Sequence, residues 1–241
     1  MTHSNIYTKF MIEYDKANIT SSYPSLTRYE VATILDKAYL ALIAQKLTGN
    51  NPRRAGFEAD IKALEDLRPL ITSSTLSASK NPVISNGYDY TVPNDFLYYV
   101  MAILKHNSAN TAIDSNDHTM QNVHLISHDK AQNYIATSTN LPWLDDAVCY
   151  IQGDNITVLV DAYDLKKNTG TLALTLSYIK APAKFAIGPG QSPKDYDFGA
   201  TEFELSDTMA EEMINLAIIM STKIVESSRL QSEINTRPLE S

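Results

Sequence analysis

Ala147-Val148-Cys149-Tyr150-Ile151-Gln152-Gly153-Asp154-Asn155-Ile156-Thr157-Val158-Leu159-Val160 sets two apolar runs on either side of a Gly-Asp-Asn turn. Branched and aromatic side chains fit a pleated surface, and glycine beside short polar residues lets a chain reverse. The stretch therefore reads as a hairpin, with strands over 147–152 and 156–160. Downstream, Thr171 to Ile179 alternates Leu172, Leu174 and Leu176 with Thr175 and Ser177, a third strand with one buried face. Upstream, the run Phe96 to Leu104 suits a short helix or a buried strand; Tyr98, Tyr99 and Val100 favour the strand. Turn chemistry at Ser-rich Thr72 to Ser79, at Asn86-Gly87 and at Gly188-Pro189-Gly190 punctuates the region. Residues 73–200 are thus expected to form a mostly β, antiparallel portion, with a meander as the simplest topology.

The flanks follow a different period. Ile6, Phe10, Met11 and Tyr14 recur at helical spacing, and Val31, Ile34, Leu35, Ala38, Leu42 and Ile43 do so more strictly. The second run opens on Thr27-Arg28-Tyr29-Glu30, a capping box, and stops at Gly49. A third helix, with Phe57, Ile61, Leu64 and Leu67 on one side, is expected to end at Arg68-Pro69, because a residue before proline avoids the α region. The last helix should begin at Ser206-Asp207 and present Met213, Leu216, Ala217, Met220 and Ile224 to the body. The expected class is α+β: N-terminal helices over 1–72, a central antiparallel β portion over 73–200, and a long C-terminal helix and tail over 201–241, in one compact subunit.

Composition narrows the function. The 241 residues are 44% hydrophobic and 20% charged, the balance of an ordinary folded protein rather than a disordered one. A net charge of −8 disfavours holding nucleic acid by neutralising phosphates. The single cysteine, Cys149, excludes an internal disulfide and a cysteine-based zinc cage, and suits a reducing compartment. The first residues lack the basic region and apolar core of a secretory signal, so Asn18-Ile19-Thr20 and Asn155-Ile156-Thr157 are not expected to be glycosylated. Phe96 to Leu104, the longest apolar run, is about half of a membrane span, and no membrane association is expected. Acidic residues crowd one stretch, Asp195, Asp197, Glu202, Glu204, Asp207, Glu211 and Glu212, without an intervening base. Such a run serves as a solvated face with helix N-terminal acids, or as a surface that repels DNA.

No chemical site assembles from motifs. His124 and His128 would share a face if they lay on one helix, with His118, Asp117 and Asp129 nearby, but Val123, Leu125 and Ile126 read as a strand end. Asp114, Asn116 and Asp117 lack the glycine and closing glutamate of a calcium loop. Cys149 sits mid-strand among apolar residues, the setting of an inert thiol. The pairs Asp145-Asp146 and Glu211-Glu212 point apart, so neither is an acid/base dyad by itself. Gly188-Pro189-Gly190 cannot cradle a phosphate, since its proline removes an amide. The reading is of a protein that is not an enzyme and needs no cofactor or metal. The 14 tyrosines keep a carbohydrate-binding or carbohydrate-cleaving tail module open as an alternative.

The order of segments carries more. A helical N-terminus is followed by Tyr90-Thr91-Val92-Pro93-Asn94-Asp95-Phe96 leading into an aromatic strand, the hairpin around Gly153, and Tyr178-Ile179-Lys180-Ala181-Pro182 closing the β portion. Phe203-Glu204-Leu205-Ser206-Asp207 then opens a long helix, with Glu226-Ser227-Ser228-Arg229-Leu230-Gln231 after it. This order resembles the head-to-tail connector proteins of tailed bacteriophages, most closely the ring or adaptor proteins of crAss-like phages. The resemblance is strongest over 85–105 and 141–231, and residues 106–140 lie outside it. It implies a virion structural protein, assembled in the bacterial cytoplasm, whose copies form a ring beneath the portal, commonly dodecameric, and continue the DNA channel. Its partners would be further copies of itself, the portal protein and other neck or tail rings, with genomic DNA passing through without specific binding; a different neck or tail ring is the nearest alternative. On this reading Asp195, Asp197, Glu202 and Glu204 are candidate channel-facing acids. The polar tail offers Leu230, Ile234 and Leu239 as apolar anchors, with Arg229 and Arg237 as charged ones, for docking on a neighbouring subunit or ring.

Overall fold

The computed structural model describes residues 1–16, 26–48, 61–81, 83–107, 120–135, 141–142, 146–160, 171–185, 198 and 201–224. The chain divides into a helical unit, residues 1–70 with 182–241, and a sheet unit, residues 71–181. The class is α+β.

In the helical unit, α1 spans His3–Lys16, α2 Arg28–Thr48, α3 Ile61–Leu67 and α5 Asp207–Ile224. The cap of α2 forms as its sequence dictates: Glu30 Oε2 accepts from the Thr27 amide at 2.7 Å, and Thr27 Oγ1 accepts from the Glu30 amide at 3.3 Å. Those hydrogen bonds hold the Glu30 carboxyl below the usual range. Its six periodic residues are all buried. The stop at Gly49 and the side chain of Phe57 fall outside the described residues. A one-turn 3-10 segment, Arg68–Leu70, ends α3 where the proline requires it.

Two helices bury a face that only partly matches the one their apolar residues mark: Leu67, Met213 and Ala217 are buried as expected, and the side chains of Ile61 and Ile224 fall outside the described residues. On α3 Leu64 is exposed, and Ala63 and Leu67 are buried beside Asp66, so the inward set is 63, 66 and 67 and one of its members is charged. On α5, Leu216 and Met220 are only half-buried, while Met209, Ala210, Met213, Ile214, Ala217 and Ile218 are buried with Glu212, Ser221 and Thr222. The band is wide because α5 packs against both α1 and α2. Among the described residues, no helix is long and apolar enough to cross a membrane.

The sheet unit contains β1 (Ile71–Ser77), β2 (Ser79–Lys80), β3 (Gly87–Thr91), β4 (Phe96–Asn107), β5 (Met120–Leu125), the helix α4 (His128–Ile135), β6 (Asp146–Gln152), β7 (Asn155–Leu159) and β8 (Thr171–Lys180). The strand order is β1-β8-β4-β5-β6-β7-β3-β2. This is no meander: β8 inserts between β1 and β4, and β3 pairs β7 rather than its sequence neighbour β4. The sheet is antiparallel except for β5 and β6, which run parallel with α4 in the connection between them. The Ser-rich stretch read as turn chemistry is largely strand β1, in register with β8 from Ile71 opposite Ile179 to Ser77 opposite Ala173. Serine and threonine suit it because one of its faces meets water: Ser73, Thr75 and Ser77 are exposed.

One apolar core takes residues from six strands, including Tyr90, Leu104, Val123, Cys149, Val158, Leu174 and Leu176, and Leu76 of β1 packs against it. β1 comes within contact distance of β3. The sheet is therefore curled with its core on the concave side. Register shifts in β4 between Phe96 and Tyr98 and between Tyr99 and Met101 bend that strand. On the outer side, α4 covers β6 through Ala131 and Tyr134, packed with Val148, Tyr150 and Leu159. Burial on both faces explains the continuous apolar run in β6 and β7. Their hairpin turns at Gly153, φ 58°, with no neighbour near its missing Cβ. Gly153→Ala is expected to cost about 1 kcal/mol through backbone strain alone; urea denaturation of the full chain checks it, and no change would place the strain elsewhere.

Candidate functional site

The acidic stretch begins on an extended segment. Residues 201–203 run antiparallel to the first residues of the chain: the His3 amide donates to the Thr201 carbonyl at 2.9 Å, and the Phe203 amide to the Met1 carbonyl at 2.8 Å. Alternation along this extended backbone turns Glu202 to solvent and Phe203 and Leu205 inward. Ser206 then caps α5, its hydroxyl accepting from the Met209 amide at 3.3 Å.

The acids of this stretch have separate tasks. Glu204 is half-buried and accepts from the Ala183 amide at 2.9 Å. Asp207 is exposed and pairs with the Met1 ammonium at 2.9 Å. Glu211 pairs with Lys9 of α1. Glu212 is buried and pairs with Lys46 of α2 at 3.0 Å, while Asp66 of α3 lies 3.3 Å from the same ammonium. Asp195 and Asp197, and the tail residues Arg229, Leu230, Ile234, Arg237 and Leu239, lie outside the described residues.

Beside Glu204 the helical unit holds an aromatic cluster. Phe185 is fully buried, stacked on the His3 imidazole with ring centroids 4.1 Å apart, and flanked by Tyr39 at 6.4 Å and Phe203 at 6.3 Å. Asp36 of α2 accepts from the Phe185 amide at 2.6 Å. Two carboxylates, Asp36 and Glu204, thus fix the backbone of residues 183–185 while the ring fills the core. Burial lowers the His3 pKa, against the opposing pull of Glu204.

In the sheet unit, His124 lies on β5, exposed, with Nε2 2.9 Å from Asp146 Oδ1 on the neighbouring β6. His128 starts α4 and meets the Tyr150 ring edge to face at 5.4 Å. The two histidines therefore do not share a helix face. Asp129 is exposed at the start of α4, its pKa lowered by hydrogen bonds from Ser127 and nearby amides. Cys149 is buried, and burial pushes its pKa up to about 12, so the thiol stays protonated. Among the described residues, no three His, Cys, Asp or Glu side chains converge as metal ligands. His118, Asp114, Asn116, Asp117 and Asp145 are outside those residues.

Neither the Lys46, Asp66 and Glu212 set nor the Phe185 clamp was anticipated from the sequence. A signal for the first was present: Lys46 continues the buried 35, 38, 42 register of α2, and a charge in an apolar register requires a partner. Comparison with protein-family models finds no match for this chain, and no curated protein matches it.

Proposed function

We propose that the protein is a structural component of a tailed-phage virion, whose copies form an adaptor ring between portal and tail and continue the DNA channel. The observation that carries this reading is the order of segments: helices, an aromatic strand entered from 90–96, the hairpin turning at Gly153, β8 running out at 178–182, and a helix opened by 203–207. Physical features of the chain support it. A closed ring built head to tail needs two different complementary surfaces on each subunit, and a chain made of a helical unit and a sheet unit has surfaces of different chemistry to offer. The charge of −8 suits a wall past which DNA must slide without being held. Glu202, exposed on its extended segment, and Glu204, half-buried with its carboxylate on the Ala183 amide, are together with Asp195 and Asp197 the channel-facing acids in this reading.

The tail supplies the contact between subunits. Leu230, Ile234 and Leu239 are the large apolar residues of 227–241, spread among Ser, Glu, Gln and Arg. Docked on a neighbouring subunit or on the portal, they act as anchors, with Arg229 and Arg237 pairing acids there. A chain ending at Glu226 is expected to keep the thermal stability of the full-length subunit and to lose ring formation or portal binding. A large drop in its thermal midpoint would instead assign the tail to the subunit's own core.

A further inference from the structure

Where α2, α3 and α5 meet, a buried ammonium stands between two carboxylates, one buried and one half-buried. The side chains of Lys46, Glu212 and Asp66 are 4%, 7% and 16% exposed. Glu212 Oε2 receives the ammonium at 3.0 Å, whereas Glu212 Oε1 and Asp66 Oδ2 are buried without a hydrogen-bond donor, Asp66 Oδ2 lying 3.3 Å from Lys46 but off its hydrogen-bond directions. With every group ionised, the one ammonium buried between the carboxylates faces two negative charges, two of whose oxygens lack donors, and Lys62 of α3 acts on Glu212 only as a weaker contribution; that arrangement is costly in a medium of low polarity. With Glu212 neutral, Lys46 and Asp66 form an oppositely charged pair, and of the two oxygens without donors Glu212 Oε1 belongs to an uncharged carboxyl.

We propose that Glu212 is a proton-operated lock on α3: holding its proton, it lets the Lys46–Asp66 pair clamp α3 to α2, and releasing that proton to solvent loosens α3. The lock belongs to the subunit and does not depend on the ring. Of the described charged groups on the elements packed here, Lys46 comes from α2, Lys62 and Asp66 from α3, and Glu212 from α5. Lys9 and Glu13 of α1 gather around Glu211, the neighbouring residue on α5. Burial first, and the Asp66 charge after it, raise the Glu212 carboxyl above its ordinary value of 4.5, with Lys46 and Lys62 pulling the other way. A folded-state value above the ordinary one means that the stabilisation by the proton is complete below 4.5 and fades as pH rises through the folded value.

The test is amide hydrogen exchange of the full chain from about pH 5 to about pH 8, corrected for intrinsic exchange, with the α1 amides as internal control. The opening constant of Glu65 to Leu67 should rise with pH by up to about tenfold per unit and then level off, while that of Ile6 to Tyr14 stays constant. In Glu212→Gln the rise should vanish. In Asp66→Asn, where Lys46 and Glu212 become a balanced pair, it should shrink, and this variant decides the matter if Glu212→Gln does not fold. A flat profile in the unaltered protein, a rise that survives Glu212→Gln, or a rise unchanged in Asp66→Asn overturns the proposal.

Discussion

Phe185→Ala is expected to remove about 3–5 kcal/mol from the stability of the helical unit. The ring is fully buried and is the common contact of His3, Tyr39 and Phe203, which reach it from three separate parts of the chain. Its backbone is fixed by the Asp36 carboxylate, so the surroundings cannot collapse into the vacated space by moving the segment. A domain is typically stable by only about 5–15 kcal/mol, so the variant should stand near its unfolding threshold at room temperature. Urea denaturation read by a probe on α2 checks this, and a loss below about 1 kcal/mol would show that the ring is not packed as described. The same substitution has a pH signature. Because burial lowers the His3 pKa from 6.5, the native protein binds that proton less readily than the unfolded chain, and stability falls as pH drops through 6.5 until the folded value is passed. Opening the cavity readmits water to the imidazole, so that this fall should shrink in the variant.

Lys46→Met should be as damaging for a different reason. Methionine can fill the volume, but it leaves the buried Glu212 and half-buried Asp66 carboxyls without the α2 ammonium between them, a change expected to cost about 3–5 kcal/mol. Adding Glu212→Gln and Asp66→Asn removes the charges together and should restore most of the loss, since a buried ionic cluster and a neutral replacement of similar shape are often nearly equal in stability. Full additivity of the three substitutions in denaturant titrations would mean that the groups do not act as a cluster.

The parts of the fold legible in the sequence are those fixed over short distances. The capping box at Thr27 and Glu30, the strict register of α2, the glycine turn at 153 and the alternation of Leu172, Leu174 and Leu176 each state their structure within a few residues, and each forms. What escaped was set by distant partners. β1 is a strand because β8, a hundred residues away, supplies its hydrogen bonds, and its serines are acceptable because one face meets water. The parallel pairing of β5 and β6 depends on α4, a short helix with mostly polar residues. On α3 and α5 the buried face includes Asp66 and Glu212, whose charges hide it from any count of apolar residues until Lys46 is seen between them. The histidines show the converse: a spacing that would converge on a helix is divided between a strand and the start of a helix.

Ring formation is the central claim, and the mass of the assembled species tests it most directly. Native mass measurement of the full chain, alone and mixed with candidate portal protein, should give one closed high-order species, dodecameric if the connector resemblance extends to copy number, and a further species carrying the portal. A chain that remains a monomer or small oligomer under both conditions contradicts the account.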